Sequence, residues 1–333
     1  MLIVAEAGVN HDGCVEQALA LVDAAAAAGA DAVKFQMFRS EKLATASAST
    51  AAYQQSACGE SSQRAMLSKL ELSKEAFVAI KERCDQRSIL FMATPFGLDE
   101  VYDVHELGSA AIKIASTDLT NRPLLDAAVA CGLPIVLSTG ASTEAEIENS
   151  VVHLERGRAG NRLILLHCVS CYPAPLESIN LRAMASLRGK FGLPVGLSDH
   201  TTSMQTGGWA VAAGACILEK HFSLDPTGPG PDHAMSLSPD QLAQYIANAR
   251  TAQQAMGDGR LGMTQQEQEV RTVAGRSVVT VTAIKAGMVI SDGMLSLKRP
   301  GLGVPAHELP HLWGRRAAVD IPGDTILSWD MVQ

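Results

Sequence analysis

The chain has 333 residues, of which 47% are hydrophobic and 19% charged, and carries a net charge of −8. That acidic balance argues against a nucleic-acid partner and for a small ligand held by local positive charge. No apolar run reaches membrane-spanning length. The N-terminus enters Leu2-Ile3-Val4-Ala5 without a basic leader, so no signal peptide is expected. Seven cysteines at irregular spacing predict reduced thiols and a cytoplasmic setting.

In chain order, apolar runs at 2–5, 32–35, 89–93, 111–115, 134–138, 163–167, 194–197 and 216–220 read as buried parallel strands. Helical patterns separate them: Val15–Ala28 closed by Gly29, Lys74–Arg87, Leu98–Leu107, Pro123–Cys131, Thr143–Glu155, Leu181–Phe191 and Ser203–Ala213. An eighth, Pro239–Met256, follows the last strand. Ser73 followed by Glu75, and Ser142 followed by Glu144, read as helix starts. Eight strand–helix pairs predict a (β/α)8 TIM barrel over residues 1–256. An open doubly wound sheet is the alternative, but no Rossmann-type glycine fingerprint supports it. The segment from Arg39 to Glu71, rich in Ala, Ser and Gln, reads as an inserted βα-loop on the catalytic face. Residues 257–275 read as a linker. Residues 276–333 read as a small β-rich module with strands at Ser277–Thr282, Met288–Ile290 and Ala317–Ile321.

In a barrel of this kind the chemistry collects at the C-terminal strand ends. The first strand leads into Glu6, the second carries Lys34 and Gln36, and the third ends in Thr94. The fourth carries Lys113 and leads to Ser116 and Asp118. The fifth ends in Ser138, and the sixth leads past Cys168 to Ser170 and Tyr172. The seventh and eighth give Ser198, His200, Glu219 and His221. A lysine inside an apolar strand is costly unless it meets an anion. Two of them amid four hydroxyls (Thr94, Ser116, Ser138, Ser198) point to a ligand bearing phosphate or phosphate plus carboxylate. His200 and His221, at the same end of neighbouring strands, can hold a divalent cation with open positions. Gly228-Pro229-Gly230-Pro231-Asp232-His233 reads as a rigid loop that can turn Asp232 towards that cation. Lys113 could instead form a Schiff base, as in barrel aldolases. Cys168 and Cys171 are expected to serve packing, and His11, His105, His153, His307 and His311 solvated or capping roles.

These residues lie in ten short motifs. In order they are Glu6-Ala7-Gly8-Val9-Asn10-His11, Val33-Lys34-Phe35-Gln36, Ala93-Thr94-Pro95-Phe96, Lys113-Ile114-Ala115-Ser116, Leu137-Ser138-Thr139-Gly140, Leu166-His167-Cys168, Tyr172-Pro173, Leu197-Ser198-Asp199-His200-Thr201, Glu219-Lys220-His221-Phe222 and Gly230-Pro231-Asp232-His233. Together they resemble the bacterial sialic acid synthases. The tail, with Lys298-Arg299-Pro300-Gly301, resembles the antifreeze-like (SAF-type) domain of that family, so the resemblance spans essentially the whole chain.

The resemblance implies condensation of phosphoenolpyruvate with open-chain N-acetylmannosamine, giving N-acetylneuraminate and phosphate by C–O cleavage. It implies an Mn²⁺ or Mg²⁺ ion on His200 and His221, and phosphoenolpyruvate contacts from Lys34, Thr94, Lys113, Ser116, Ser138 and Ser198. Gln36, Tyr172 and Asp232 would face the sugar, and Glu6 and Glu219 the ion and its waters. It further implies a domain-swapped homodimer in which Arg299 of one subunit reaches the other's sugar. Glu6 or Asp118 could move protons, and the sequence leaves that choice open. The chain departs from the family pattern at Asp118, a methylene shorter than Glu, and at Ser170, where some members place Asn against phosphoenolpyruvate. Legionaminic or pseudaminic acid synthesis from a 2,4-diacetamido-6-deoxy hexose is the alternative reading. A sugar-binding or scaffold protein would instead be expected to lack Lys34, Lys113, His200 and His221.

Overall fold

In the computed structural model, which describes residues 1–157 and 159–333, the chain divides into two compact units, Met1–Gly257 and Asp258–Gln333. The first is a closed barrel of eight parallel strands: β1 (Leu2–Gly8), β2 (Ala32–Met37), β3 (Leu90–Pro95), β4 (Ile112–Ile114), β5 (Ile135–Ser138), β6 (Leu163–Cys168), β7 (Val195–Asp199) and β8 (Ile217–His221). β8 pairs back onto β1 and sets His221 opposite Glu6. All eight strands fall where the apolar runs predict them, and the barrel is the fold the sequence predicts.

Alternation along each strand sorts the side chains. Outward residues such as Ile3, Val33, Phe91, Leu197 and Leu218 are fully or almost fully buried and pack against the helices. Inward residues near the strand starts (Val4, Ala32, Met92, Val136, Leu166, Ile217) fill the barrel interior with an apolar layer. Gly196 is a packing requirement, because a Cβ there would collide with the Ile217 carbonyl of β8. One step further along, every strand offers a different kind of inward residue: Glu6, Lys34, Thr94, Lys113, Ser138, Cys168, Ser198 and Glu219.

The helices between strands are α1 (Val15–Ala27), α5 (Lys74–Gln86), α6 (Leu98–Glu106), α7 (Arg122–Ala130), α8 (Glu144–Arg156), α9 (Ala183–Phe191) and α10 (Thr206–Ala212), with α11 (Pro239–Met256) last. Ser73 caps α5 as expected, accepting from the Ala76 amide. The α8 cap is Thr143 rather than Ser142. Its hydroxyl accepts from the Glu146 amide, and the Glu146 carboxylate returns the bond, forming a capping box. α10 begins three residues later than Ser203, because Thr201 and Ser203 turn their hydroxyls onto the amides of Ser203 and Gln205 and hold a non-helical turn. The insertion after β2 contains three short helices, α2 (Ser40–Leu43), α3 (Ala52–Cys58) and α4 (Gln63–Ser68).

In the second unit a helix α12 (Gln268–Ala274) precedes an antiparallel pair, β9 (Ser277–Thr280) and β10 (Leu295–Lys298). β10 lies outside the expected strands. Met288–Ile290 and Ala317–Ile321 enter only isolated bridges, through Val289, Ala317 and Ile321. Val278, Ile284, Ile290, Leu312, Ala317 and Leu327 give this unit its own core. All seven cysteines are free, and no helix of the described residues is long and apolar enough to cross a membrane.

Candidate active site

The polar inward layer forms the floor of a cavity of about 490 Å³ at the C-terminal end of the barrel. On that floor Lys34 Nζ lies 2.7 Å from Glu6 Oε2 and 3.6 Å from Glu219 Oε2, and donates to Thr94 Oγ1 at 2.8 Å. Lys113 is less satisfied. Among the described residues its one ion pair, to Glu219 Oε1, spans 3.7 Å, and its one hydrogen bond goes to the Ile114 carbonyl at 3.2 Å. Ser198 donates to Glu219 Oε1 at 2.9 Å. The Ser138 hydroxyl is buried with no partner among the described residues. Two buried ammonium groups, one weakly paired, beside a vacant hydroxyl make a receptor for an anion.

The electrostatics follow from burial and pairing. Burial raises the Glu6 carboxyl to about 7 against the opposing pull of Lys34. Burial also pushes Glu219 up, but Lys113, Lys34 and the Ser198 hydroxyl outweigh it and hold Glu219 below its ordinary value. Burial draws Lys34 down, yet Glu219 and Glu6 leave it raised. For Lys113 burial wins and its value falls. Glu219 is therefore the ionised counter-charge, and Glu6 is the carboxyl placed to exchange a proton near neutrality.

This arrangement carries a pH signature. A folded-state value near 7 against 4.5 unfolded means that Glu6 stabilises the fold below about pH 4.5 and loses that contribution as pH rises through 7. Asp232, raised by burial to about 6, acts in the same direction. In EDTA, the melting temperature is expected to fall between pH 5 and 8. Glu6→Gln should flatten that slope, and an unchanged slope in the variant would show that Glu6 does not titrate there.

At the rim, the His200 ring donates through Nδ1 to the Val169 carbonyl at 2.8 Å, and Nε2 faces the Ser198 hydroxyl at 3.5 Å. Its centroid is 5.4 Å from that of His221. Among the described residues His221 Nδ1 is buried without a hydrogen-bond partner, 3.9 Å from Asp232 Oδ2. An orphaned imidazole nitrogen beside a second held only by a long contact to a hydroxyl suits a divalent cation. Among the described residues, no group of three or more His, Cys, Asp or Glu is placed to hold a metal ion, so the two imidazoles would be the ion's protein ligands. The donors thus fit an ion with open positions rather than a closed structural site. Gly8, at φ +52, allows this crowding: a Cβ there would sit 3.2 Å from Asp232 Oδ2 and 3.4 Å from both Gln36 Nε2 and Glu6 Oε1.

Fourteen of the sixteen sequence-predicted site residues line this one cavity: Glu6, Lys34, Gln36, Thr94, Lys113, Ser116, Asp118, Ser138, Tyr172, Ser198, His200, Glu219, His221 and Asp232. Asp118 accepts from Asn121 Nδ2 at 2.8 Å, and burial raises its carboxyl. Ser170 is not part of the wall and shares a 2.9 Å hydrogen bond with Ser116. Arg299 lies in the second unit, after β10.

Sequence reasoning set the insertion on the catalytic face but named none of its residues; it brings Leu43, Tyr53, Gln54, Gln63, Met66, Leu67 and Leu70 to the cavity. Tyr53 packs 5.3 Å from Tyr172, which packs 4.4 Å from His200. One assignment is corrected and one narrowed. Cys168 lines the cavity, with Sγ 3.8 Å from His200 Nδ1, rather than serving packing alone. His11 is fully buried rather than solvated, packed against Phe35, and it takes the capping alternative, its Nδ1 accepting from the Gly13 amide at 3.1 Å.

Comparison with known proteins agrees with this geometry. The NeuB family model matches residues 21–261 and the SAF domain model residues 275–333. The N,N'-diacetyllegionaminic acid synthase of Campylobacter jejuni is 39% identical, over 98% of each chain. That of Legionella pneumophila is 37% identical over 99% of this chain and 94% of its own. Among solved structures, the N-acetylneuraminic acid (sialic acid) synthetase of Leptospira borgpetersenii, in complex with citrate, superposes with a TM-score of 0.73 at 36% identity, over 81% of this chain and 89% of that one.

Proposed function

The chain belongs to the NeuB family and ends in a SAF domain, and from that premise we propose that it is a phosphoenolpyruvate-dependent nonulosonic acid synthase, a transferase acting on an open-chain N-acetylated amino sugar. The observation that carries the proposal is the pair of barrel lysines, Lys34 and Lys113, buried at the cavity floor with Lys113 weakly paired.

In the proposed reaction, C3 of the enol phosphate attacks C1 of the aldehyde and forms the new C–C bond. Water adds to the cation that develops at C2, and the adduct expels phosphate by C–O cleavage to leave a nine-carbon 2-keto acid. Lys34, Lys113 and the hydroxyls of Thr94, Ser116, Ser138 and Ser198 hold the phosphate and carboxylate, chiefly positioning the anion. Gln36, Tyr172 and Asp232 face the sugar. Glu6, raised to about 7, takes the proton-transfer role in preference to Asp118, which among the described residues pairs with neither lysine and is tied to Asn121. Glu219 stays ionised between the two lysines and balances their charge. A divalent cation, Mn²⁺ or Mg²⁺, on His200 and His221 would supply Lewis-acid polarisation of the aldehyde oxygen.

For the acceptor we favour a 2,4-diacetamido-6-deoxy hexose over N-acetylmannosamine. The Campylobacter and Legionella relatives support this, and so does an apolar wall of Val9, Met66, Leu70 and Phe96 on the insertion side of the cavity. A 6-methyl group packs on such a wall, whereas a 6-hydroxyl would lose its hydrogen bonds there. N-acetylmannosamine remains the second reading because of the Leptospira relative. The test is phosphate release from phosphoenolpyruvate with Mn²⁺ across N-acetylmannosamine, its 6-phosphate and the diacetamido-6-deoxy hexoses, with and without EDTA. Release with none of the sugars would overturn the proposed reaction, and release with N-acetylmannosamine alone would overturn the acceptor. Met66→Gln is expected to shift the kcat/KM ratio towards a 6-hydroxylated acceptor by roughly tenfold. An unchanged ratio would remove Met66 from acceptor choice.

The proposal includes a homodimer in which Arg299 serves the partner's sugar site. Arg299→Ala and His221→Ala, each inactive alone, should regain activity when mixed under conditions that exchange subunits. Hybrid dimers without activity would count against sharing.

A further inference from the structure

Behind the two metal-binding imidazoles lies a second charged cluster that takes no part in the chemistry. Asp199 and Lys220 are the last outward-facing residues of β7 and β8 and pair across the sheet. Both side chains are completely buried (0% exposed), with Lys220 Nζ 3.0 Å from Asp199 Oδ2. Their outward neighbours on the same strands, Val195, Leu197 and Leu218, are apolar. An apolar pair would fill this layer at lower cost, because removing two charges from water commonly offsets their attraction. The pair therefore calls for a reason other than packing.

The reason lies in its other contacts. Lys220 Nζ also donates to the Thr201 carbonyl and, at 3.2 Å, to the Thr201 hydroxyl. Asp199 Oδ1 accepts from the Thr201 amide at 2.9 Å, and Oδ2 accepts from the Thr206 hydroxyl. One ammonium and one carboxylate thus grip the residues on both sides of His200. The same ammonium belongs to the residue directly before His221. Lys220 is seated in turn over the ring of the buried Tyr245, 5.2 Å from its centroid. Gly207 is packed so tightly against that ring that a Cβ would lie 2.6 Å from Tyr245 Cζ. The backbone ladder sets the rung of β7 and β8, and this directional tie adds a fixed placement of Thr201, directly after His200, that an apolar contact would not give.

We propose that Asp199 and Lys220 are positioning residues that set the spacing of His200 and His221 for the divalent ion. This rests on the metal reading given above. It predicts that losing the pair weakens metal binding without unfolding the barrel. The decisive variant is Asp199→Leu/Lys220→Met, which removes both charges together and leaves neither unpaired. Its melting temperature in EDTA is expected within about 5 °C of the native protein. Its Mn²⁺ dissociation constant, read from the EPR signal of free Mn²⁺, is expected to rise 10–100-fold, the size found when groups behind metal ligands are lost. Asp199→Asn, nearly isosteric, decides the matter if the double variant does not fold, and its Mn²⁺ affinity should fall at least several-fold. Native Mn²⁺ affinity in a folded variant would overturn the positioning role. Absence of Mn²⁺ binding by the native protein would overturn the metal reading, and the positioning role with it.

Discussion

Lys113→Met is expected to lower kcat/KM for phosphoenolpyruvate by roughly a thousandfold, at the upper end of what one preorganised donor contributes to a transition state, with little change in thermal stability. The asymmetry comes from how the two lysines are paired. Lys34 is anchored by Glu6 at 2.7 Å and by Thr94 at 2.8 Å. Its removal would strand a buried carboxylate, which costs about 3–5 kcal/mol when one partner of a buried pair is lost. Among the described residues Lys113 has only the 3.7 Å approach of Glu219 and the Ile114 carbonyl. Glu219 retains Lys34 and the Ser198 hydroxyl when Lys113 is gone. The fold thus relies little on Lys113, while an incoming anion would find in it the less neutralised cation. The check is steady-state kinetics alongside a melting curve in EDTA. A large loss of stability with modest kinetic damage would make Lys113 a structural group. Pyruvate trapped on native Lys113 by borohydride would revive the imine reading.

The sequence made the floor of this site readable because charge inside an apolar strand is locally anomalous. Lys34 and Lys113 stand out in strands of six and three residues, and the strand period alone points them inward with Glu6 and Glu219. The histidines stand out for the same reason, as ends of runs whose partner runs lie next door. Tyr53, Gln63 and Met66 carry no such mark. Their segment has helical stretches of only four to seven residues, and its place over the barrel is set by tertiary contacts, such as Met66 and Leu70 packing with Val9 and Phe38. β10 escaped because Leu295-Ser296-Leu297-Lys298 is short and becomes a strand only by pairing with β9. Asp199 and Lys220 were visible as letters beside the histidines. Their pairing was not, since it depends on the register between β7 and β8.

His221→Ala should abolish Mn²⁺ binding and reduce turnover at least a thousandfold, because polarisation of the aldehyde oxygen is worth several kcal/mol of barrel chemistry. The fold should survive in EDTA. Among the described residues His221 Nδ1 has no hydrogen-bond partner, and burial, with the charge of His200 when that ring is protonated and of Lys34, Lys220 and Lys113, holds the ring well below its ordinary value, hence neutral. Removing a neutral ring with an unmet nitrogen relieves a desolvation cost and leaves a cavity, and the two oppose each other. His200 differs, since its Nδ1 bond to Val169 ties the loop after β6 to the end of β7. His200→Ala should therefore lose both metal and stability. Calorimetric Mn²⁺ titrations and melting curves of the two variants separate these roles. If His221→Ala bound Mn²⁺ like the native protein, the ion would have to sit elsewhere, and the orphaned nitrogen would be left without an explanation.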